Sequence, residues 1–157
     1  MTAHVYLETS IVSYLSARPS RDLVVAGHQQ LTNEWWQNQR PRFAIFISQL
    51  VLEEAGRGDP DVAQARLQIL EGIPLLDIRT EALVLAQALL EQGSLPEKAS
   101  ADALHIATAT IHGVEFLLTW NCKHIANAEL RPHIERVCRS YGFEPPVLCT
   151  PEELMGE

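Results

Sequence analysis

Carboxylates stand where the apolar runs of this chain stop. Residues 4–7 lead into Glu8-Thr9-Ser10, residues 43–47 lead into Ser48 and then Glu53-Glu54, and residues 116–119 lead into Trp120-Asn121. A further acid, Asp102, sits among small and apolar residues between Ala99 and Ala109. Aspartate is a poor residue inside a helix because its short side chain competes for backbone groups, so this position calls for a reason. Carboxylates brought to one spot repel each other and lose hydration, and an oxygen-ligated divalent cation such as Mg²⁺ or Mn²⁺ is the usual remedy. Such an ion binds and polarises a phosphodiester and lowers the pKa of a bound water, which would let an acidic protein hydrolyse a polyanion.

The elements that must position these residues alternate in type. Residues 4–7, 43–47 and 116–119 read as strands, 73–78 as a short apolar segment and 147–149 as a final short strand. Between them lie helical stretches: a turn carrying Ile11, Val12, Tyr14 and Leu15, then 20–39, 49–55, 60–70, 80–92, 96–112 and 130–141. Ser48 is placed to cap the helix that follows it, and Asp59-Pro60 puts a capping carboxylate before a first-turn proline. Strands separated by helices pair in parallel through right-handed crossovers, so the expected fold is a three-layer α/β/α sandwich around a central parallel sheet. Ligands of such sheets bind outside the carboxyl ends of the strands, where Glu8, Ser48 and Asn121 fall.

At 157 residues the chain is long enough for one domain with a sizeable core and short for two, so a single domain over 1–157 is expected. Hydrophobic residues make up 46% and charged residues 20%, which excludes a disordered chain. The net charge of −8 argues against a general nucleic-acid coat, since counterion release needs clustered Lys and Arg. Any polyanion bound here needs a local basic patch or a bridging metal. Cys122, Cys138 and Cys149 are an odd count at irregular spacing, which suits a reducing cytoplasm rather than a disulfide framework. No basic leader and no apolar run of membrane length stand out, so neither secretion nor membrane insertion is expected.

Four strings in order carry a resemblance: Val5-Tyr-Leu-Glu8-Thr9-Ser10, Ile47-Ser48-Gln-Leu-Val-Leu-Glu53-Glu54, Asp102-Ala-Leu-His-Ile-Ala-Thr-Ala, and Leu117-Leu-Thr119-Trp-Asn121. From about His4 to Thr150 the chain resembles a PIN domain, above all the branch of VapC-type toxins of bacterial toxin–antitoxin pairs. The resemblance implies a Mg²⁺- or Mn²⁺-dependent endoribonuclease, a homodimer, an RNA substrate and a small inhibitory antitoxin. It implies that Glu8, Glu54 and Asp102 hold the metal and that Asn121 completes the catalytic set, with Thr9, Ser10 and Thr119 in support. Only one of Glu53 and Glu54 can face the site, and the register of the resemblance selects Glu54. Two departures stand out. Glu8 occupies a position where an aspartate is usual and is longer by one methylene, roughly 1.5 Å, and Asn121 is uncharged where an aspartate or asparagine is common.

Those departures leave a second reading open, a catalytically weakened PIN-like module that binds RNA or a partner protein. A phosphohydrolase of small phosphoesters is a third, since an acidic strand-end site does not itself specify RNA. Arg18, Arg21, Arg40 and Arg42 cluster in sequence, and Arg18 and Arg21 are expected to grip RNA phosphates if they flank the carboxylates. His105, three residues after Asp102, reads as a histidine hydrogen-bonded at the edge of the core rather than a metal ligand. Cys122, His124 and Cys138 lack the spacing of a zinc site. Trp35 and Trp36 could stack bases or bury a dimer seam, and adjacent helical residues point apart.

Overall fold

The computed structural model describes residues 2–156. Five parallel strands, β1 (Ala3–Leu7), β2 (Phe43–Ser48), β3 (Leu75–Leu76), β4 (Phe116–Leu118) and β5 (Val147–Cys149), form one sheet in the order β3-β2-β1-β4-β5. The central strand β1 pairs Val5 with Ile45 on one side and with Phe116 on the other. Buried on both faces, it places Val5, Tyr6 and Leu7 at the middle of the core.

Seven α-helices connect the strands: α1 (Thr9–Ser16), α2 (Leu23–Glu34), α3 (Gln49–Ala55), α4 (Pro60–Leu70), α5 (Thr80–Glu91), α6 (Ser100–Ile111) and α7 (Arg131–Ser140). They fall into two sets, α1 packing on α2, α3 and α4, and α5 packing on α6 and α7. The chain first steps outward from β1 through β2 to β3, then crosses back to β4 and on to β5. Right-handed crossovers therefore lay the first set of helices on one face and the second on the other, giving the three-layer sandwich. The direction reverses between β1 and β4, and the crevice outside their carboxyl ends is where this topology binds ligands. Among the described residues no helix is long and apolar enough to cross a membrane.

Several elements depart from the sequence expectation. The helix expected over 20–39 starts only at Leu23, because Asp22 caps it, accepting from the Val25 amide at 3.0 Å. It passes into a π-turn at Trp35–Gln39, which carries Trp35 into the core with its indole N–H donating to the Leu154 carbonyl at 3.1 Å. Trp35 thus serves the core and neither stacks bases nor lines a seam, while half-buried Trp36 carries the Arg40 guanidinium 4.0 Å over its ring. The segment 73–78 yields only the two-residue β3, paired with Ile47 and Ser48. Ser48 does occupy the residue before α3, but its hydroxyl makes no capping bond there.

The helix expected over 96–112 divides into a 3₁₀ turn, Glu97–Ala99, and α6. Asp102 accordingly lies in the first turn of α6, not in its interior. There a carboxylate is favoured by the unpaired amides and the positive end of the helix dipole, so its place needs no special compensation.

Candidate metal centre

Glu8 follows β1 directly and is the residue from which α1 springs. It is 7% exposed, and one oxygen, Oε1, accepts from the hydroxyls of Ser10 and, at 2.6 Å, Thr119. Ser10 in turn accepts the Trp120 amide at 2.8 Å, so the start of α1 is tied to the chain just after β4. Glu54 projects from the last turn of α3, and its Oε1 accepts from the Thr9 hydroxyl at 2.5 Å and from His105 Nε2 at 2.6 Å. Among the described residues no protein group donates to Oε2 of either glutamate, and neither Oε2 is a buried atom without a partner. Each carboxylate therefore has one anchored oxygen and one open to a ligand.

Ligand atoms of Glu8, Glu54 and His105 lie within 4.8 Å of one another. His105 is fully buried on α6 and bonds through Nδ1 to the Tyr6 hydroxyl at 2.7 Å. It is a hydrogen-bonded histidine at the core, as its sequence context suggested, but the carboxylate it meets is Glu54. Burial alone would push the Glu54 carboxyl up. The bond and charge of His105, with the Thr9 hydroxyl and the nearby Arg57, outweigh that and hold it below the ordinary carboxylate range. Burial pushes the Tyr6 hydroxyl well above an ordinary phenol, against the opposing bond from Ser48.

Asp102 lies outside this tight group. Its Oδ2 meets His124 Nδ1 at 2.9 Å, both side chains partly exposed. Asn121 accepts the His124 amide at 3.0 Å through Oδ1 and so caps the turn that brings His124 to Asp102. Thr119 links the two parts, donating to Glu8 and accepting the Asn121 amide at 2.8 Å. The structure thus brings Glu8, Glu54, Thr9, Ser10 and Thr119 together, leaves Asp102, expected as the third metal ligand, outside that group one helical turn from His105, and gives Asn121 a capping bond. Glu53, the neighbour of Glu54, takes no part in these bonds.

The arginines expected to act together are split. Arg18 and Arg21 lie exposed between α1 and α2. Arg40 and Arg42 precede β2 and so stand at the amino edge of the sheet, opposite the carboxylates. A six-residue strand separates the two edges, roughly 20 Å at about 3.3 Å per residue.

Tyr6 is a participant that sequence reasoning did not select, while Ser48 reads there as a strand-end cap and His124 is weighed only for zinc. Tyr6 on β1 and Glu8 just after it stand two apart in extended backbone and share a face, and a tyrosine in a strand buried on both sides needs a partner for its hydroxyl. That was the available signal. His124 offered none, because its partner is 22 residues away.

The chain matches the PIN domain family over residues 5–121. No curated protein sequence matches it. Among solved structures it is similar to VapC20 of Mycobacterium tuberculosis, described as a Sarcin-Ricin loop cleaving toxin. The identity is 16% over 90% of this chain and 99% of that chain, with a TM-score of 0.60. It is also similar to VapBC2 of Rickettsia felis bound to a DNA fragment from its promoter, at 22% identity over 76% of this chain and 89% of that chain, with a TM-score of 0.56.

Proposed function

The chain belongs to the PIN domain family, and from that membership we propose that it is a Mg²⁺- or Mn²⁺-dependent endoribonuclease, the toxin of a type II toxin–antitoxin pair. The observation that carries the reading is the pair of glutamates, Glu8 and Glu54, whose ligand atoms lie within 4.8 Å and whose Oε2 atoms are left open by the protein. An oxygen donor set of this kind suits a hard divalent cation. Glu8 and Glu54 would hold it, with Asp102 as the third carboxylate. A bound ion of this class supplies charge neutralisation at a phosphodiester and a more acidic water.

The chain's own residues do the rest. Thr9, Ser10 and Thr119 fix one oxygen of each glutamate, so the open oxygens need no reorganisation when a ligand arrives. Asn121 holds the 121–124 turn against Asp102 through His124. Arg18 and Arg21, on the exposed α1–α2 connection, would grip phosphates flanking the scissile one. Single-domain organisation over 1–157, a cytoplasmic location, a homodimer and a small antitoxin partner belong to the same reading. The similarity to VapBC2 supports the last.

One observation favours the second reading, a PIN-like module that binds RNA or a partner protein without cleaving. Asn121 spends its side-chain oxygen on the His124 amide, which removes a donor from the site. Incubating the protein, Glu54→Gln and Asp102→Asn with a mixed pool of single-stranded and structured RNAs, with and without Mn²⁺ or Mg²⁺, decides between the two. Metal-dependent cleavage lost in both variants is expected. Cleavage that persists in chelator or in Glu54→Gln refutes metal-dependent chemistry at this site, and no cleavage together with no Mn²⁺ binding transfers support to the binding module.

A further inference from the structure

Behind the candidate ligands runs a chain of buried polar groups. Ser48, at the end of β2, places its hydroxyl 2.8 Å from that of Tyr6 on β1, and Tyr6 meets His105 Nδ1 at 2.7 Å. His105 Nε2 then meets Glu54 Oε1 at 2.6 Å. Tyr6, Ser48 and His105 are all fully buried. Burying three polar side chains is costly unless each is satisfied, and here each finds its partner in the next, ending on the one member that faces the site.

We infer that Ser48, Tyr6 and His105 form a positioning relay that holds the Glu54 carboxylate toward Glu8 and so preorganises the metal centre. The inference rests on the reading that Glu54 holds a divalent ion. The donor order follows from the partners. A carboxylate only accepts, so His105 donates to Glu54 from Nε2, and the Tyr6 hydroxyl, able both to donate and to accept, bridges His105 Nδ1 and the Ser48 hydroxyl. Two carboxylates this close would splay apart if left free. Glu54 is kept from doing so by His105 and Thr9 on the same oxygen, and His105 is kept from turning by Tyr6. Direct ligation by His105 would require breaking its bond to Glu54, whereas the relay acts with every observed bond intact.

Mn²⁺ binding to the full chain, followed by electron paramagnetic resonance, tests this with Tyr6→Phe, His105→Leu, His105→Gln and Glu54→Gln. Removing a partner behind a metal ligand typically lowers metal affinity about 10–100-fold, and that is the loss expected for His105→Leu. Tyr6→Phe should fall between it and the unaltered protein. His105→Gln, whose amide still offers Glu54 a donor, should recover most of the affinity. Should His105→Leu fail to fold, Tyr6→Phe, which removes a single oxygen atom, decides. A merely structural role would lower the thermal midpoint of the variants and leave the Mn²⁺ affinity of the folded protein unchanged. Glu54-dependent Mn²⁺ binding with equal affinity in Tyr6→Phe and His105→Leu overturns the relay alone. A directly coordinated nitrogen in the spin-echo spectrum, absent from His105→Leu, also overturns it by making His105 a ligand. No Mn²⁺ binding, or binding unaffected by Glu54→Gln, overturns the metal centre and the relay together.

Discussion

Replacing Glu54 by Gln should remove most of the stabilisation of the fold by Mn²⁺, and the size of that effect can be worked out. Two unit charges within 4.8 Å of each other repel by at least about 0.9 kcal/mol in water and at least about 3.5 kcal/mol at an effective dielectric near 20. A divalent cation seated between Glu8 and Glu54 turns this repulsion into attraction on both sides, and only the folded chain brings the two together. At a Mn²⁺ concentration one hundred times its Kd, binding stabilises the fold by about 2.7 kcal/mol, which for a chain of 157 residues raises the thermal midpoint by about 5–11 °C. If Glu54→Gln weakens binding about a hundredfold, the same Mn²⁺ concentration stabilises by only about 0.4 kcal/mol, near 1 °C. Differential scanning calorimetry of each protein with and without Mn²⁺ measures this, and comparing each protein with itself removes any effect of the substitution on metal-free stability. An equal Mn²⁺ shift in both proteins would show that the ion acts elsewhere and would refute the two-glutamate argument.

Acid titration should reveal the same carboxylate. Its folded-state pKa lies below the ordinary value of 4.5, so its contribution to stability is full above that value and lost as pH falls through the folded one. Denaturant unfolding across pH should give a stability difference between the unaltered protein and Glu54→Gln that is constant near neutrality and shrinks below about pH 4.5; a difference that grows on acidification contradicts the assignment. Trp35→Ala empties a fully buried site that anchors the Leu154 carbonyl and should cost about 3–5 kcal/mol, read from chemical denaturation. A cost under about 1 kcal/mol, the level of a surface change, would contradict its place in the core. Reversing Arg18 and Arg21 to Glu in the Glu54→Gln background should weaken binding to single-stranded RNA. It should also flatten the slope of log affinity against log salt by about 0.7 for each phosphate contact removed; an unchanged slope would take both arginines out of the interface.

What the sequence made legible is what short-range chemistry writes into it. Apolar runs ending on Glu8, Ser48 and Thr119 announced parallel strands with polar carboxyl ends, and Asp59-Pro60 marked the start of α4 with the expected bond to the Val62 amide. The elements lost were those decided by tertiary packing. β3 is a strand only because Leu75 and Leu76 lie in register with Ile47 and Ser48. Residues 97–99, Glu-Lys-Ala, are good helix formers running straight into α6 yet wind as a 3₁₀ turn, and that shift moved Asp102 from a helix interior to a helix start. In the site, Thr9 and Ser10 were visible as neighbours of Glu8. His105 lay in plain view as a histidine, but its bond to Glu54 spans 51 residues and no local spacing encodes it.

Glu8 shows how such departures acquire a physical sense. It is the residue before α1, a position where aspartate is among the preferred caps because its short carboxylate reaches back to the first amides of its own helix. Glu8 makes no such bond. The additional methylene instead carries its carboxylate to the hydroxyls of Ser10 and Thr119, the second of which belongs to the end of β4. A capping carboxylate would be occupied by α1, whereas this one keeps Oε2 open beside Glu54. The hydroxyls that anchor Oε1 are tied to the backbone after β4, through Ser10 to Trp120 and through Thr119 to Asn121. The longer side chain thus couples the two strands that flank the reversal of the sheet, and the topology and the acidic pair converge on the same crevice.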